Sequence, residues 1–271
     1  MSKIADYYDG MDEIREHSGN DGIFKISPSS IADFFTNTAQ YFYEQVEGNE
    51  KAFQGSTSTY LGTIVHHIAE MAVEKSTVTS EDVEQFLSEI NDPNVDKDDI
   101  RKLYNEMGSI LVANTVNDFS WDIVSTEQFI FEKLNDDVYV GGTYDALRRD
   151  PATNDGYCVV DYKTASTKPS GINLKYRYQA YTYAWMLRQR NINVTSIELC
   201  YVTRPTKTLP VRYFNFKEEF NEVNYDFIDS TLKLIAKCVS MYKQKPELRA
   251  IIAKDARLLN DSTTESVAFP I

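Results

Sequence analysis

Three cysteines, three histidines and two tryptophans are all that this 271-residue chain holds of those types. Cys158, Cys200 and Cys238 are odd in number and far apart, with no Cys-x-x-Cys. Neither a disulfide framework nor a zinc site is expected, and a reducing cytoplasm is the expected setting. No apolar run approaches the roughly 18 residues of a membrane span, so no membrane role is expected. The start, MSKIADYYDGMDEIREH, lacks the hydrophobic core of a signal peptide, and no targeting segment is read there. No Gly-x-x-x-x-Gly-Lys-Ser/Thr occurs, which excludes a P-loop motor. Internal repeats and low-complexity segments are also missing. What remains is globular: 42% hydrophobic and 13% aromatic residues, enough for one large domain with a substantial core.

Positive charge is scarce overall. The net charge of −13 speaks at first against a phosphate-binding protein. Its distribution reverses that reading. From Tyr162 to Lys217 there is one acid, Glu198, against Lys163, Lys168, Lys175, Arg177, Arg188, Arg190, Arg204, Lys207, Arg212 and Lys217. That segment is net +9 and the rest of the chain is −22. A solvated basic face is one reading; a track for a phosphate backbone is the other.

Periodicity divides the chain near residue 120. Residues 1–24 read as a polar lead-in, and IADFFTNTAQYFYEQV as a helix opened by Ser27-Pro28-Ser29-Ser30. Helices are expected at about 58–75, with Leu61, Val65, Ile68 and Ala72 in one stripe, at about 80–91 and at about 97–116. From Trp121 three strands follow: DIVSTEQFIFEKL, DVYVGGTYDALRRD and GYCVVDYKT. A helix over about 174–190, strands over about 195–204 and 209–216, and a helix over about 217–246 complete the pattern. The expected fold is α/β, a central mixed sheet flanked by helices, with residues 1–120 as a helical region packing on a core at 121–253 and a tail at 254–271.

Chemistry concentrates in VGGTYDALRRDPATNDGYCVVDYK. Asp145 closes one strand, and the next ends in Asp161-Tyr162-Lys163. Carboxylates at adjoining strand ends can hold a divalent metal, and Lys163 shares a sheet face with Asp161, where its ammonium can orient a water or stabilise developing charge. A surface Asp–Lys pair is the plainer reading. Glu127, between Val124 and Phe129, is a candidate third carboxylate. His66 recurs with Gly62 and Glu70 on one helix face; the pattern leaves open whether it packs or ligates metal. Gln179 and Tyr183 lie one turn apart among the aromatics Tyr176, Tyr178, Tyr181 and Trp185. Core packing is the default for these rings, and interleaving with Lys175 and Arg177 offers a stacking surface for single strands.

In the order Gly62-Thr63-x-x-His66, Glu127, Gly142-x-x-Asp145, Asp161-x-Lys163 and Gln179-x-x-x-Tyr183, the chain resembles the RecB-like nuclease branch of the PD-(D/E)XK superfamily, over about 27–216. The resemblance implies a restriction-endonuclease-like core and a Mg²⁺- or Mn²⁺-dependent DNA exonuclease. It implies metal ligation by His66, Asp145, Asp161 and the main-chain carbonyl of Tyr162. Lys163 would position the water, Glu127 support the metal shell, and Gln179 order the site. Tyr183, Lys168, Lys175 and Arg177 would meet DNA. DNA with free ends is the implied substrate, in phage DNA metabolism or recombination and repair, in the host cytoplasm if phage-encoded; an annealing protein is a further possible partner. Relatives with an iron–sulfur cluster carry four cysteines; here Thr38 stands at the first position and only Cys238 lies near the C-terminus, so no cluster is expected. A structure-specific endonuclease and a non-catalytic DNA-end-binding module are the alternatives.

Overall fold

The computed structural model describes residues 10–48, 57–75, 79–90, 95–118, 121–245 and 247–249; the expected tail at 254–271 lies outside them. Among the described residues six strands form one mixed sheet. Its order is β1 (Phe24–Ile26), β3 (Val138–Arg149), β4 (Tyr157–Ala165), β5 (Val194–Thr203) and β6 (Arg212–Glu219), with β2 (Ile123–Lys133) antiparallel to β3. β4 and β5 are parallel, so the chain must cross over between them, and α7 (Leu174–Gln189) does so.

Helices cover both faces. On one side α7, α8 (Glu222–Gln244) and the segment 28–46 bury Val138, Val140, Tyr144, Val159 and Leu199. On the other, α4 (Thr57–Lys75), α5 (Ser80–Ser88) and α6 (Lys97–Asn114) bury Ala146, Cys158, Val160, Tyr162, Cys200 and Val202. The alternation along β4 therefore puts Val159, Asp161 and Lys163 on the α7 side. Cys158, Cys200 and Cys238 are free thiols.

Four stretches differ from the sequence expectation. The polar lead-in contains a helix, α1 (Met11–Ser18), whose one buried residue is Ile14, too little for an apolar stripe. The residues read as helical before 120 also supply β1, which pairs in parallel with β3 and so belongs to the main sheet. The helix expected after Ser27 is broken: a 3₁₀ turn at Pro28–Ser30, α2 (Ile31–Thr36), a stop at Asn37, α3 (Thr38–Tyr41) and a π turn at Phe42–Val46. Ser27 makes no side-chain cap; Asn37 instead accepts the Gln40 N–H at 3.1 Å. The hydroxyls of Thr36 and Thr38 bind the carbonyls of Ala32 and Phe34 at 2.9 and 2.7 Å, a competition that favours a break. Downstream, β6 runs on to Glu219, because half-buried Phe214 and Phe216 alternate with exposed Asn215 and Lys217. The helix expected from 217 starts at Glu222, where Asn221 accepts the Val223 and Asn224 N–H groups.

Candidate active site

β3 changes partner halfway along one edge. Val138–Val140 pair with β1 and Ala146–Arg149 with β4, and neither register includes residues 141–145. Asp145 occupies the opening. Its Oδ2 accepts the Tyr162 N–H at 2.7 Å and lies 3.2 Å from His66 Nδ1. Burial of Leu61, Val65, Ile68 and Ala72 fixes the rotation of α4 and turns His66 toward this opening, edge-on to the Tyr162 ring at 6.3 Å.

Glu127 reaches the same place by a backbone irregularity. β2 pairs Thr126 with Ala146 and Gln128 with Tyr144, skipping Glu127, whose φ is +47°. A non-glycine residue there is strained, and such strain persists where surrounding structure holds it. His66, Glu127 and Asp145 each offer a ligand atom, all within 4.8 Å of one another.

Asp161 lies outside that trio and faces Lys163. Lys163 Nζ is 2.6 Å from Asp161 Oδ2, with only 2% of the Asp161 side chain exposed. The ammonium thus engages Oδ2, and Asp161 Oδ1 is buried with no hydrogen-bond partner among the described residues. Nζ also sits 4.9 Å from the Tyr176 ring centre. Burial pushes the Asp161 carboxyl up to about 6 against the pull of Lys163, and the Asp145 charge adds to the rise. Burial opposes ionisation of Asp145 too, but His66, Lys163 and the Tyr162 N–H outweigh it and hold that carboxyl below the usual range. His66 and Lys163 are both raised, burial being overcome by the neighbouring carboxylates. Two carboxylates driven apart in acidity, beside an imidazole and an ammonium, form a site suited to proton handling. Oxygen ligands from Asp145, Glu127 and Asp161, with Asp161 Oδ1 left without a partner, fit a hard divalent cation.

Gln179 and Tyr183 meet at a neighbouring cavity of about 200 Å³, whose walls include Ser27, Pro28, Ser29, Gly142 and Thr143. Ser27, Ser29 and Thr143 are not among the site residues expected from the sequence; Ser27-x-Ser29 and the Gly141-Gly142-Thr143 run just before Asp145 are the signals for them. The stacking surface expected on α7 is corrected. Tyr178, Tyr181, Tyr183 and Trp185 are buried because α7 is enclosed by the sheet and by α8, and Tyr183 packs edge-on to Tyr144 at 6.3 Å.

The basic run is likewise less polarised in space than along the chain. Lys163, Lys175, Arg177, Arg188, Arg190 and Lys217 pair with Asp161, Asp33, Glu218, Glu222, Glu132 and Asp150. Arg177 is closed on Glu218 by two contacts of 2.8 and 2.6 Å. Lys168 is exposed and lies 5.3 Å over the Phe214 ring. Lys168, Arg204, Lys207 and Arg212 have no ion pair among the described residues. Glu198, the one acid of the run, is buried against Arg148 at 2.5 Å and accepts from Asn215 at 2.6 Å, tying β3, β5 and β6 together.

A profile of the PD-(D/E)XK nuclease superfamily matches residues 25–266. The chain belongs to this superfamily. The sheet with helices on both faces is the fold of these PD-(D/E)XK nucleases, which use divalent metals. Among solved structures, a protein from Eubacterium rectale provisionally assigned as an exonuclease is 13% identical with a TM-score of 0.52, over 97% of this chain and 94% of that one. At that identity the likeness concerns the fold. The alkaline exonuclease LHK-Exo of Laribacter hongkongensis is 12% identical with a TM-score of 0.40, over 90% of this chain and 99% of its own. No curated protein matches this chain. Among the described residues no helix is long and apolar enough to cross a membrane.

Proposed function

We propose that this PD-(D/E)XK nuclease is a Mg²⁺- or Mn²⁺-dependent DNA exonuclease of the RecB-like type, acting in phage DNA metabolism or in recombination and repair. The observation that carries the reading is Asp161: a carboxylate 2% exposed, paired through Oδ2 with Lys163, its Oδ1 without a partner, and within the field of Asp145 and His66. Asp145, Asp161, His66 and the Tyr162 carbonyl would hold the ion, with Glu127 completing the shell. Once bound, the ion would neutralise charge on the scissile phosphate and acidify a water. Lys163 orients that water and stabilises the charge that grows on phosphorus oxygens. The Tyr162 N–H holds Asp145 in place before substrate arrives. Attack in line on phosphorus leaves a 5′-phosphate and a 3′-hydroxyl. Gln179 and Tyr183 order the β3 wall, and exposed Lys168 and Lys175 supply phosphate contacts. Preference for free ends follows the resemblance, the α4–α6 layer forming the wall that restricts threading.

The test is incubation of the purified protein with Mg²⁺ and end-labelled linear or closed circular DNA. Loss of linear DNA alone supports the reading, and cutting of closed circles replaces it with an endonuclease. If Asp145→Ala or Lys163→Ala cuts as well as the unaltered chain, the assignment fails.

A further inference from the structure

α8 carries a second apolar face that the core does not use. Val223, Phe227, Leu234 and Met241 are exposed, from 40% for Met241 to 75% for Val223. At about 100° per residue they share one side of the helix, about a third of a turn from the buried side formed by Ile228, Leu232, Ile235, Val239 and Tyr242. With exposed Ser230, Lys237 and Gln244 they fall at alternating steps of four and three residues, the spacing of a helix-pairing seam. Beside Phe227 the apolar surface widens. The Phe227 ring stacks on Tyr178 at 5.8 Å and Tyr178 on Phe35 at 5.7 Å, and Phe35 and Leu174 are themselves exposed. Single exposed apolar side chains are ordinary, but a row running about 27 Å along one helix marks an interaction surface.

We propose that this face of α8 pairs with α8 of a second copy of the chain, the two helices antiparallel about a twofold axis at the level of Leu232. The pairing does not depend on the nuclease reading. Charge decides both the occupant and the direction. The first half of α8 holds Glu222, Asp226 and Asp229, and the second half Lys233, Lys237 and Lys243. Parallel copies would set like charge against like, whereas antiparallel copies set the acidic half against the basic half and oppose the helix dipoles. Asp226 and Lys237 are exposed and make no ion pair among the described residues. About 16 Å of helix separates them, so one copy cannot join them. With the seam in register, Val223 meets Met241 of the second copy and Ser230 meets Leu234. Phe227 meets Lys237, whose stem covers the ring while its ammonium reaches Asp226. Twofold symmetry makes each of these contacts twice. Size sets the strength. A seam about 27 Å long and 10 Å wide covers about 270 Å² on each copy before Phe35 and Leu174 are counted, well below the roughly 1,200 Å² total of a standard stable interface. The dimer is therefore reversible and forms at micromolar concentrations.

The test is sedimentation velocity on the full chain in EDTA, from about 1 to about 300 μM. The average mass should rise from one chain toward two across that range. Leu234→Lys should hold it at one chain with an unchanged melting temperature, because the side chain is exposed. Asp226→Lys and Lys237→Asp should each weaken pairing at least about tenfold. Mixed together, these two variants should pair with each other as well as the unaltered chain pairs with itself. That mixture rebuilds both ion pairs only where the helices run antiparallel, and fold damage cannot imitate the recovery. A chain that stays single at the highest concentration overturns the proposal, as does assembly into more than two copies or assembly that Leu234→Lys leaves intact. Charge variants that pair normally alone, or that stay apart when mixed, overturn it as well.

Discussion

Asp161→Asn should stabilise the metal-free protein while removing its activity. Burial lifts the carboxyl from its ordinary 3.8 to about 6. At about 1.36 kcal/mol per pH unit, the ionised side chain costs the folded state about 3 kcal/mol at pH 8. Between those two values the folded protein keeps a proton that the unfolded chain has released. Stability therefore falls as pH rises through the window, and the cost is complete above pH 6. The uncharged amide escapes it. In EDTA, denaturant unfolding should show Asp161→Asn more stable by about 3 kcal/mol at pH 8 and by less than about 1 kcal/mol at pH 4, where the carboxyl is protonated in most folded molecules and many unfolded ones. For a chain of this size each kcal/mol moves the melting temperature by about 2–4 °C. Added Mg²⁺ should close the gap by stabilising the unaltered chain, about 2.7 kcal/mol at a hundredfold excess over Kd. Destabilisation at pH 8, or a gain as large at pH 4, would refute the account of Asp161 as a buried charge awaiting a cation.

Further outcomes follow from single contacts. Lys163→Met should lower kcat by about two to three orders of magnitude with binding of DNA retained, measured by single-turnover cleavage. Gly142→Ala should cost about 1–3 kcal/mol through collision with Tyr183 and Pro28, read as a lowered melting temperature. Arg177→Ala should leave the salt dependence of DNA binding unchanged, because its guanidinium is committed to Glu218; a slope lower by about 1 would make it a phosphate contact. Asp150 is held below the usual carboxylate range: burial opposes this, but Lys217, Ser196, the Ala152 N–H and Thr195 prevail. That contribution is present above the unfolded pKa and lost as pH falls, so Asp150→Asn should destabilise by about 2 kcal/mol at pH 7, with the difference fading below about pH 4 in urea titrations.

The strands around the site were legible because β-branched and aromatic residues run together there between clear turns, and the helical stripe through Leu61 and Val65 because it buries one face. Short elements were not. β1 has three residues and α1 one buried side chain, so neither has a period to detect. The tyrosines of α7 looked available because composition cannot tell a helix covered on both sides from an exposed one.

The sequence by itself determined which groups this protein possesses: Asp145, Asp161 and Lys163 at adjoining strand ends, His66 on the helix flank, and the superfamily pattern they compose. Local rules of pairing and alternation suffice for that. Only the tertiary structure decided how they act together. Splaying of β3 from β4 frees the Tyr162 N–H for Asp145, and a positive φ in β2 swings Glu127 toward His66. The same packing pairs half of the basic run with acids brought from distant segments. Burial, a property of no single residue, sets the acidities of Asp145 and Asp161 apart.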